Sequence, residues 1–208
     1  MRKSKPSEEY DQPSEQELLN RMMRIPNIEY RSYAAFTYLF GNRVSEGIQG
    51  TSKFKDRKSG EIKERHYSAI KAGDFLIDDS GWIEVRNVPT LKRKVKDVTK
   101  FYRDLLVYQY GEGEQPFVDI LKEHISSKDR SEVLWNRSRK TYWHYFNKYL
   151  LIPPKLLRSL RAKKDAKVYK LGALELKEKY NWGTTDMPFH YARFNKDALK
   201  AKIKESVK

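Results

Sequence analysis

Two short segments of the chain bring together cationic side chains that could bind a phosphate group. Arg43 lies three residues before Glu46, within Gly-Asn-Arg-Val-Ser-Glu, where the carboxylate could orient the guanidinium. Lys155 and Arg158 are also three residues apart, so a helix would place both cations on one face. Two cations at the beginning of a helix are suited to a phosphate, because the backbone N–H groups there also attract anions. Either pair alone is a common surface feature and indicates no function.

A third segment, near the end of the sequence, holds Trp182 and Tyr191, nine positions apart. A tyrosine hydroxyl can act as a nucleophile and form a covalent intermediate. An indole N–H can donate one hydrogen bond to a phosphate oxygen but cannot shuttle protons. Packing in a core is the usual fate of both residue types, and Tyr191 is one of 14 tyrosines. Its order and spacing relative to the other segments therefore carry the information.

The charge of the chain points to a polyanionic partner. Its 208 residues include 43 Lys and Arg against 28 Asp and Glu, a formal net charge of +15. Such an excess favours nucleic acid or an acidic membrane surface as the partner. The excess is concentrated at 51–72, 92–103, 155–170 and 192–208. If these blocks converge they form one basic face for a phosphate backbone; the alternative for each is a solvated surface helix.

Several classes of protein are excluded or disfavoured by composition. The absence of cysteine excludes disulfides and thiolate metal sites. The four histidines show no metal-ligand spacing, so we predict neither a metal nor another cofactor. No apolar run approaches the roughly 18 residues of a membrane helix, and no signal peptide is visible. The basic blocks lack apolar amphipathic faces, which disfavours a membrane-surface protein. We therefore predict a cytoplasmic protein without a membrane partner.

The elements that must position these residues form a mostly α-helical α+β fold with a small antiparallel sheet. Helices are predicted at about 14–24, 28–41, 117–126, 133–150, from Pro153-Pro154 onward, 169–180 and 185–192, with a short helical turn at 43–50. Residues 51–66 suggest a loop or an exposed hairpin, and 74–90 a hairpin around Asp79-Ser80-Gly81. A third strand, or the beginning of a helix, follows near 95–108. The aromatic residues of 133–150 are expected in the core rather than as a base-stacking platform.

Taken in order, these segments resemble the tyrosine recombinase and integrase family. That family carries a G-x-R-x-S-E box, a hairpin lysine, an H/K-x-x-R box, a His or Trp, and a tyrosine nine residues later. The matching positions are Gly41, Arg43, Ser45 and Glu46, then Lys92, then Lys155 and Arg158, then Trp182, then Tyr191. Lys94 and Lys96 are close rivals of Lys92 in the hairpin. The resemblance covers roughly 14–200 and is most similar to archaeal and archaeal-virus integrases.

The resemblance implies cleavage and rejoining of DNA through a 3′-phosphotyrosine, without metal or ATP. Tyr191 would attack the phosphate, Arg43 and Arg158 would bind its non-bridging oxygens, and Lys92 would protonate the leaving 5′-oxygen. Lys155 and Trp182 would complete the ring of donors. Lysine in place of the histidine of many relatives leaves the proton-handling role of that position open. Further contacts with DNA are expected from Lys94, Lys96, Arg161, Lys163 and Lys164.

The same resemblance suggests a domain organisation and an assembly. Residues 1–13 are expected as a disordered lead, 14–192 as the catalytic domain, and 193–208 as a basic tail helix. The partner would be double-stranded DNA, bound by a homotetramer, with a monomer in the absence of DNA. The core-binding domain that usually precedes such a domain would be missing, which fits either an excised catalytic domain or a minimal recombinase.

Two alternative functions share much of this chemistry or this fold. A type IB topoisomerase-like enzyme would use the same phosphotyrosine but relax supercoiled plasmid without a specific site. A non-catalytic DNA-binding protein would bind DNA with a steep salt dependence and form no covalent adduct.

Overall fold

The computed structural model describes residues 12–56, 59–89, 102–180 and 182. The helices are α1 (Glu15–Met23), α2 (Ile28–Phe40), α3 (Gln115–Ser126), α4 (Arg139–Tyr145), α5 (Pro154–Lys167) and α6 (Ala173–Lys179). The strands are β1 (Gly50–Lys55), β2 (Ile62–Tyr67), β3 (Phe75–Ile77), β4 (Trp82–Pro89) and β5 (Tyr102–Tyr108). A 3₁₀ turn (Ala72–Asp74) precedes β3, and a π-helical turn (Phe146–Leu150) continues α4. The predicted α+β class, mostly helical with small antiparallel sheets, is confirmed.

Capping side chains set the beginnings of the first two helices where the sequence predicted them. The Ser14 hydroxyl accepts a hydrogen bond from the backbone N–H of Glu17, and the Asn27 side chain accepts one from that of Glu29. Helix α2 ends at Gly41, which adopts the left-handed conformation with φ of 57°. This conformation satisfies the last turn of the helix and turns the chain into the segment that carries Arg43.

The strands form two separate antiparallel sheets. β1 pairs with β2 as a hairpin, and the second sheet has the order β3-β4-β5. Both predicted hairpins are confirmed, and the ambiguous segment near 95–108 contains a strand. A β-bulge interrupts β4 between Val85 and Val88, where Asn87 has φ of 56° and donates its backbone N–H to Asp104. The bulge lies at the base of the predicted lysine hairpin and increases the local twist.

The core is built around α2, which is buried along most of its length and packs against α3 and α5. Trp135, Tyr142 and Phe146 are buried against it, so these aromatic residues belong to the core as predicted. Trp143 is half exposed instead. None of the described helices combines the length and the apolar character needed to span a bilayer.

Three of the predicted elements differ in the structure. The helix predicted at 169–180 begins only at Ala173, as α6. Residues 43–50 contain turns and bends rather than a helical turn. The Tyr33 hydroxyl and the Asn42 side chain bind carbonyl oxygens of this segment and hold its backbone. The aromatic helix begins at Arg139, after the Ser138 cap, and not at 133. Helix α5 begins at Pro154 as predicted, since proline needs no partner for its nitrogen in the first turn. Residues 1–11 of the lead predicted at 1–13, and the segments predicted at 185–192 and 193–208, lie outside the described residues.

Candidate active site

Glu46 is the centre of the candidate site. Its side chain is fully buried, and its two oxygens face guanidiniums from three different elements. Arg43 Nη1 donates to Oε1 at 2.9 Å, and the backbone N–H of Arg43 donates to Oε2 at 2.9 Å. Arg103 Nη2, from β5, donates to Oε2 at 2.8 Å. Arg158 Nη1, from α5, lies 3.9 Å from Oε2.

The short segment after α2 is fixed by contacts with its carbonyls. The buried Tyr33 hydroxyl lies 3.0 Å from the carbonyl oxygen of Val44 and 2.9 Å from that of Glu46, so its proton is shared between them. Asn42 Nδ2 donates to the carbonyl oxygens of Arg43 and Glu46. These contacts satisfy buried carbonyls that no helix or sheet covers. They hold the Arg43–Glu46 pair in one conformation, as the three-residue spacing suggested.

Arg158 is positioned by two backbone carbonyls rather than by a carboxylate. Its Nη1 donates to the carbonyl of Gly41 at 3.0 Å, and its Nη2 donates to that of Tyr180 at 2.6 Å. The guanidinium also lies over the Tyr180 and Trp182 rings, 5.0 Å and 5.7 Å from their centroids. The two rings stack on each other at 4.8 Å. Arg158 and Trp182, predicted as parts of one site, are therefore in contact.

Burial and charge act in opposite directions on the ionisable groups of this cluster. Burial raises the pKa of the Glu46 carboxyl, but the charges of Arg103, Arg158 and Arg43 together lower it by more. The net pKa therefore lies below its usual value. Burial lowers the pKa of Arg158 to about 10; Glu46 opposes this shift, and Arg103 and Arg43 add to it. Glu46 and Arg158 are thus both charged at neutral pH. Three cations against one carboxylate leave a local charge of +2 among the described residues, which suits an incoming phosphate.

Two residues of this cluster were not expected from the sequence. Arg103 belongs to none of the sequence motifs. The alternation of exposed and buried side chains along β5 nevertheless places it on the inward side, with Leu105 and Val107. That alternation is the signal that could have identified it. Tyr180 contributes its carbonyl and its ring, and its hydroxyl donates to buried Asp165 at 2.5 Å. No sequence pattern indicates a role played by a backbone carbonyl.

Lys155 lies in the first turn of α5 and is exposed, one helical turn before Arg158. Lys163 is half-buried and donates to the side chain of Gln12. The hairpin lysines Lys92, Lys94 and Lys96 and the predicted nucleophile Tyr191 lie outside the described residues. The structure therefore brings together Arg43, Arg158 and Trp182 from the predicted set.

Arg161 and Lys164 belong to a second buried network, not to a surface. Arg161 forms ion pairs with Glu114 at 2.7 Å and with Asp165 at 2.9 Å, and its side chain is 3% exposed. Lys164 forms ion pairs with Glu15 at 2.7 Å and Glu114 at 3.3 Å. Their burial is at odds with the prediction that they contact DNA. The high charge of 155–170 is thus partly neutralised inside the protein, which a count of sequence charges does not reveal.

We expect Gly41→Ala to lower both the melting temperature and any activity of this site. A Cβ at Gly41 would overlap Cε1 of Tyr180 and lie 2.9 Å from its hydroxyl oxygen, so the ring on which Arg158 rests must move. Gly60→Ala is the matched control, because Gly60 also has a positive φ (74°) but no atom of the described residues lies within 4 Å of its Cβ position. Backbone strain alone should cost each variant about 1–2 kcal/mol, because an L-residue is disfavoured in the left-handed region. Equal melting temperatures for the two variants would contradict the predicted overlap.

Comparison with known proteins gives a structural match without a sequence match. No protein-family model and no curated protein matches the chain. The post-cleavage complex of the XerH site-specific recombinase with a palindromic difH substrate matches with a TM-score of 0.57 and 14% identity. The match covers 93% of this chain and 52% of that chain. The pre-cleavage complex of XerH with difH matches with a TM-score of 0.56, also at 14% identity, covering 93% and 54%. This chain spans about half the length of those proteins, and it has the fold of a tyrosine recombinase catalytic domain.

Proposed function

We propose that this chain is the catalytic domain of a site-specific DNA recombinase that forms a 3′-phosphotyrosine intermediate. The observation that carries the proposal is the Glu46 cluster, in which Arg43 and Arg158 converge beside Trp182. The fold shared with the XerH complexes supports it, because those proteins are site-specific recombinases bound to their substrates. The proposed organisation is a lead at 1–13, the catalytic domain at 14–192 and a basic tail at 193–208.

In the proposed reaction, Tyr191 Oη attacks a backbone phosphorus and displaces the 5′-oxygen of the next nucleotide. Lys92 donates the proton that this leaving oxygen needs, and the phenolic proton leaves to solvent. Arg43 and Arg158 bind the non-bridging oxygens, since a forked guanidinium can bind two oxygens of the developing phosphorane. Attack by a 5′-hydroxyl reverses the step and restores the phosphodiester. The phosphotyrosine retains the ester bond, so the proposed cycle needs neither ATP nor a metal.

The described tyrosine nearest to Arg158 is a poor rival for Tyr191. Tyr180 is buried, and its hydroxyl donates to Asp165 rather than facing the cluster. Burial, followed by the charge of Asp165, raises the pKa of Tyr180 well above its usual value. A hydroxyl that stays protonated and enclosed cannot reach a phosphate on DNA.

The proposed partner is double-stranded DNA, bound by a homotetramer in the cytoplasm. Exposed cations on the arginine side, such as Lys155, would contact the phosphate backbone, together with the predicted hairpin lysines Lys94 and Lys96. The tail at 193–208 is proposed to exchange between protomers. An archaeal or archaeal-virus origin is proposed from the sequence resemblance alone.

The test is covalent trapping of DNA. The purified chain is incubated with nicked duplexes whose sequence around the nick is randomised, so that the short cleaved fragment diffuses away and the adduct accumulates. We expect a denaturation-resistant adduct, and mass spectrometry of its peptide should place the nucleotide on Tyr191. Tyr191→Phe should form no adduct while retaining the DNA affinity of the wild type.

Each alternative has its own result in this experiment. An adduct formed by Tyr191→Phe would show that another residue attacks. Salt-sensitive binding without any adduct would favour a DNA-binding protein that only shares the fold. Relaxation of a plasmid of arbitrary sequence would favour a type IB topoisomerase-like enzyme.

A further inference from the structure

Arg103 is a buried arginine of the candidate site, and both of its terminal nitrogens already donate to protein groups. Its side chain is 9% exposed. Nη2 donates to Glu46 at 2.8 Å, and Nη1 donates to the carbonyl of Lys179, at the end of α6, at 2.6 Å. Its Nε is buried and has no hydrogen-bond partner among the described residues. Arg43, in contrast, is 36% exposed and can reach a ligand.

Three cations compete for a single carboxylate in this cluster. Glu46 faces Arg43 from its own loop, Arg103 from β5 and Arg158 from α5, and the Tyr33 hydroxyl from α2 lies on its carbonyl. Arg103 forms the short contact with Oε2, whereas Arg158 remains at 3.9 Å. A guanidinium held in a direct ion pair with a carboxylate has fewer donors left for a phosphate. Arg103 on Oε2 therefore leaves Arg158 on the carbonyls of Gly41 and Tyr180, where it is not drawn into a direct ion pair with Glu46.

We propose that Arg103 is a positioning residue that neutralises Glu46 and so keeps Arg158 directed at the substrate phosphate. The inference rests on the proposed function and concerns the same site. Arg103 also ties Glu46 to the end of α6, from which the chain continues to Trp182. The Arg103 side chain thus connects three parts of the chain. These are the segment that holds Arg43 and Glu46, strand β5, and the end of α6.

The first test is the rate of adduct formation by Arg103→Met at saturating nicked duplex. Without Arg103, Arg158 moves from its present 3.9 Å to hydrogen-bond distance of Glu46. A displacement of about 1 Å should slow cleavage about 10- to 100-fold. DNA affinity should change little. Arg86→Met is the matched control, because Arg86 lies on the neighbouring strand, is exposed and pairs only with Glu84 among the described residues. In a Glu46→Gln background the same Arg103 substitution should cost much less, since no carboxylate is left to capture Arg158.

The second test is the pH profile of cleavage, which a merely structural role would not move. Glu46 is buried, and of the three arginines that lower its pKa, Arg103 has the largest effect. Its loss raises the pKa of Glu46, so the acidic limb of the rate profile should shift to higher pH. Arg103→Lys retains the charge and should restore the limb to its wild-type position, even if the rate recovers only in part.

A stability measurement detects the same coupling without relying on activity. Because the pKa of Glu46 is lower in the folded than in the unfolded chain, its stabilising effect is present above the unfolded pKa and is lost as the pH falls. The decrease in melting temperature that Arg103→Met causes should therefore be largest at neutral pH and become smaller as the pH falls. This pH dependence should disappear in the Glu46→Gln background.

The outcomes separate this inference from the proposed function. If the wild type forms an adduct and Arg103→Met matches Arg86→Met in rate and pH profile, the inference is overturned and the function stands. An Arg103 effect of the same size with and without Glu46 also overturns it, because Arg103 would then act by another route. If the wild type forms no adduct, the proposed function fails and the positioning role fails with it.

Discussion

Arg43→Ala is expected to slow covalent adduct formation about 100- to 1000-fold, the usual cost of one lost transition-state donor. Arg43 is the most exposed guanidinium of the Glu46 cluster, with 36% of its side chain accessible. Its loss leaves Glu46 paired with Arg103, so no carboxylate is left buried without a cation. The melting temperature should therefore change little. The large effect on rate and the small effect on stability together would identify a residue that acts on the substrate.

The measurement is single-turnover adduct formation on nicked duplex, with the melting temperature of each variant recorded in parallel. Arg43→Lys is the informative control, since lysine keeps the charge but cannot donate from a planar fork. We expect it to remain well below the wild type. Arg158→Ala should lose a comparable amount of activity but also stability, because its guanidinium satisfies two carbonyls and is only 11% exposed. Wild-type rates for Arg43→Ala would contradict the proposed role of the cluster.

Arg161→Ala is expected to lower the free energy of unfolding by about 3–5 kcal/mol, the usual cost of breaking a buried ion pair. Arg161 lies between two fully buried carboxylates, Glu114 and Asp165. Burial lowers the pKa of Arg161, but Asp165, Tyr180 and Glu114 together raise it by more. The net pKa lies above its usual value, so the guanidinium stays charged. Removing it leaves the network with two lysines, Lys164 and Lys179, against the three carboxylates of Glu15, Glu114 and Asp165. For a chain of this size each kcal/mol corresponds to about 2–4 °C in melting temperature.

Thermal unfolding monitored by circular dichroism measures this effect directly. Lys163→Ala is the control from the same helix, because Lys163 contacts only the side chain of Gln12 among the described residues. A surface change of this kind should stay within about 0.5 kcal/mol of the wild type. Equal melting temperatures for the two variants would mean that the carboxylates of the network do not depend on Arg161.

Local chemistry explains most of what the sequence predicted correctly. Ser14 and Gly41 mark helix ends because their side chains, or the lack of one, decide which backbone groups are satisfied there. Period-two alternation and a turn at Asp79-Ser80-Gly81 identify the second sheet. The Arg43–Glu46 pair was predictable for the same reason, since both partners lie within one short segment.

The features that could not be predicted depend on residues far apart in the chain. Lys164 was expected on a surface, but it pairs with Glu15, 149 positions away, and only the tertiary structure brings that carboxylate near. Residues 43–50 have a helical pattern, yet the Tyr33 hydroxyl and Asn42 hold their carbonyls in turns. The role of Arg103 follows from which side of β5 faces Glu46. In each case a partner far away in the sequence determines the burial, the conformation or the role of the residue.

The distances along the chain that Arg158 bridges have a consequence for biosynthesis. Its hydrogen bond to Gly41 joins residues 117 positions apart, and its bond to Tyr180 requires that α6 has already been made. Contacts of such separation form late, after loops of this length have closed. In a nascent chain Arg43 and Arg158 are therefore present as isolated cations before they can converge on Glu46. Under the proposed function, strand cleavage would become available only when the whole domain has folded.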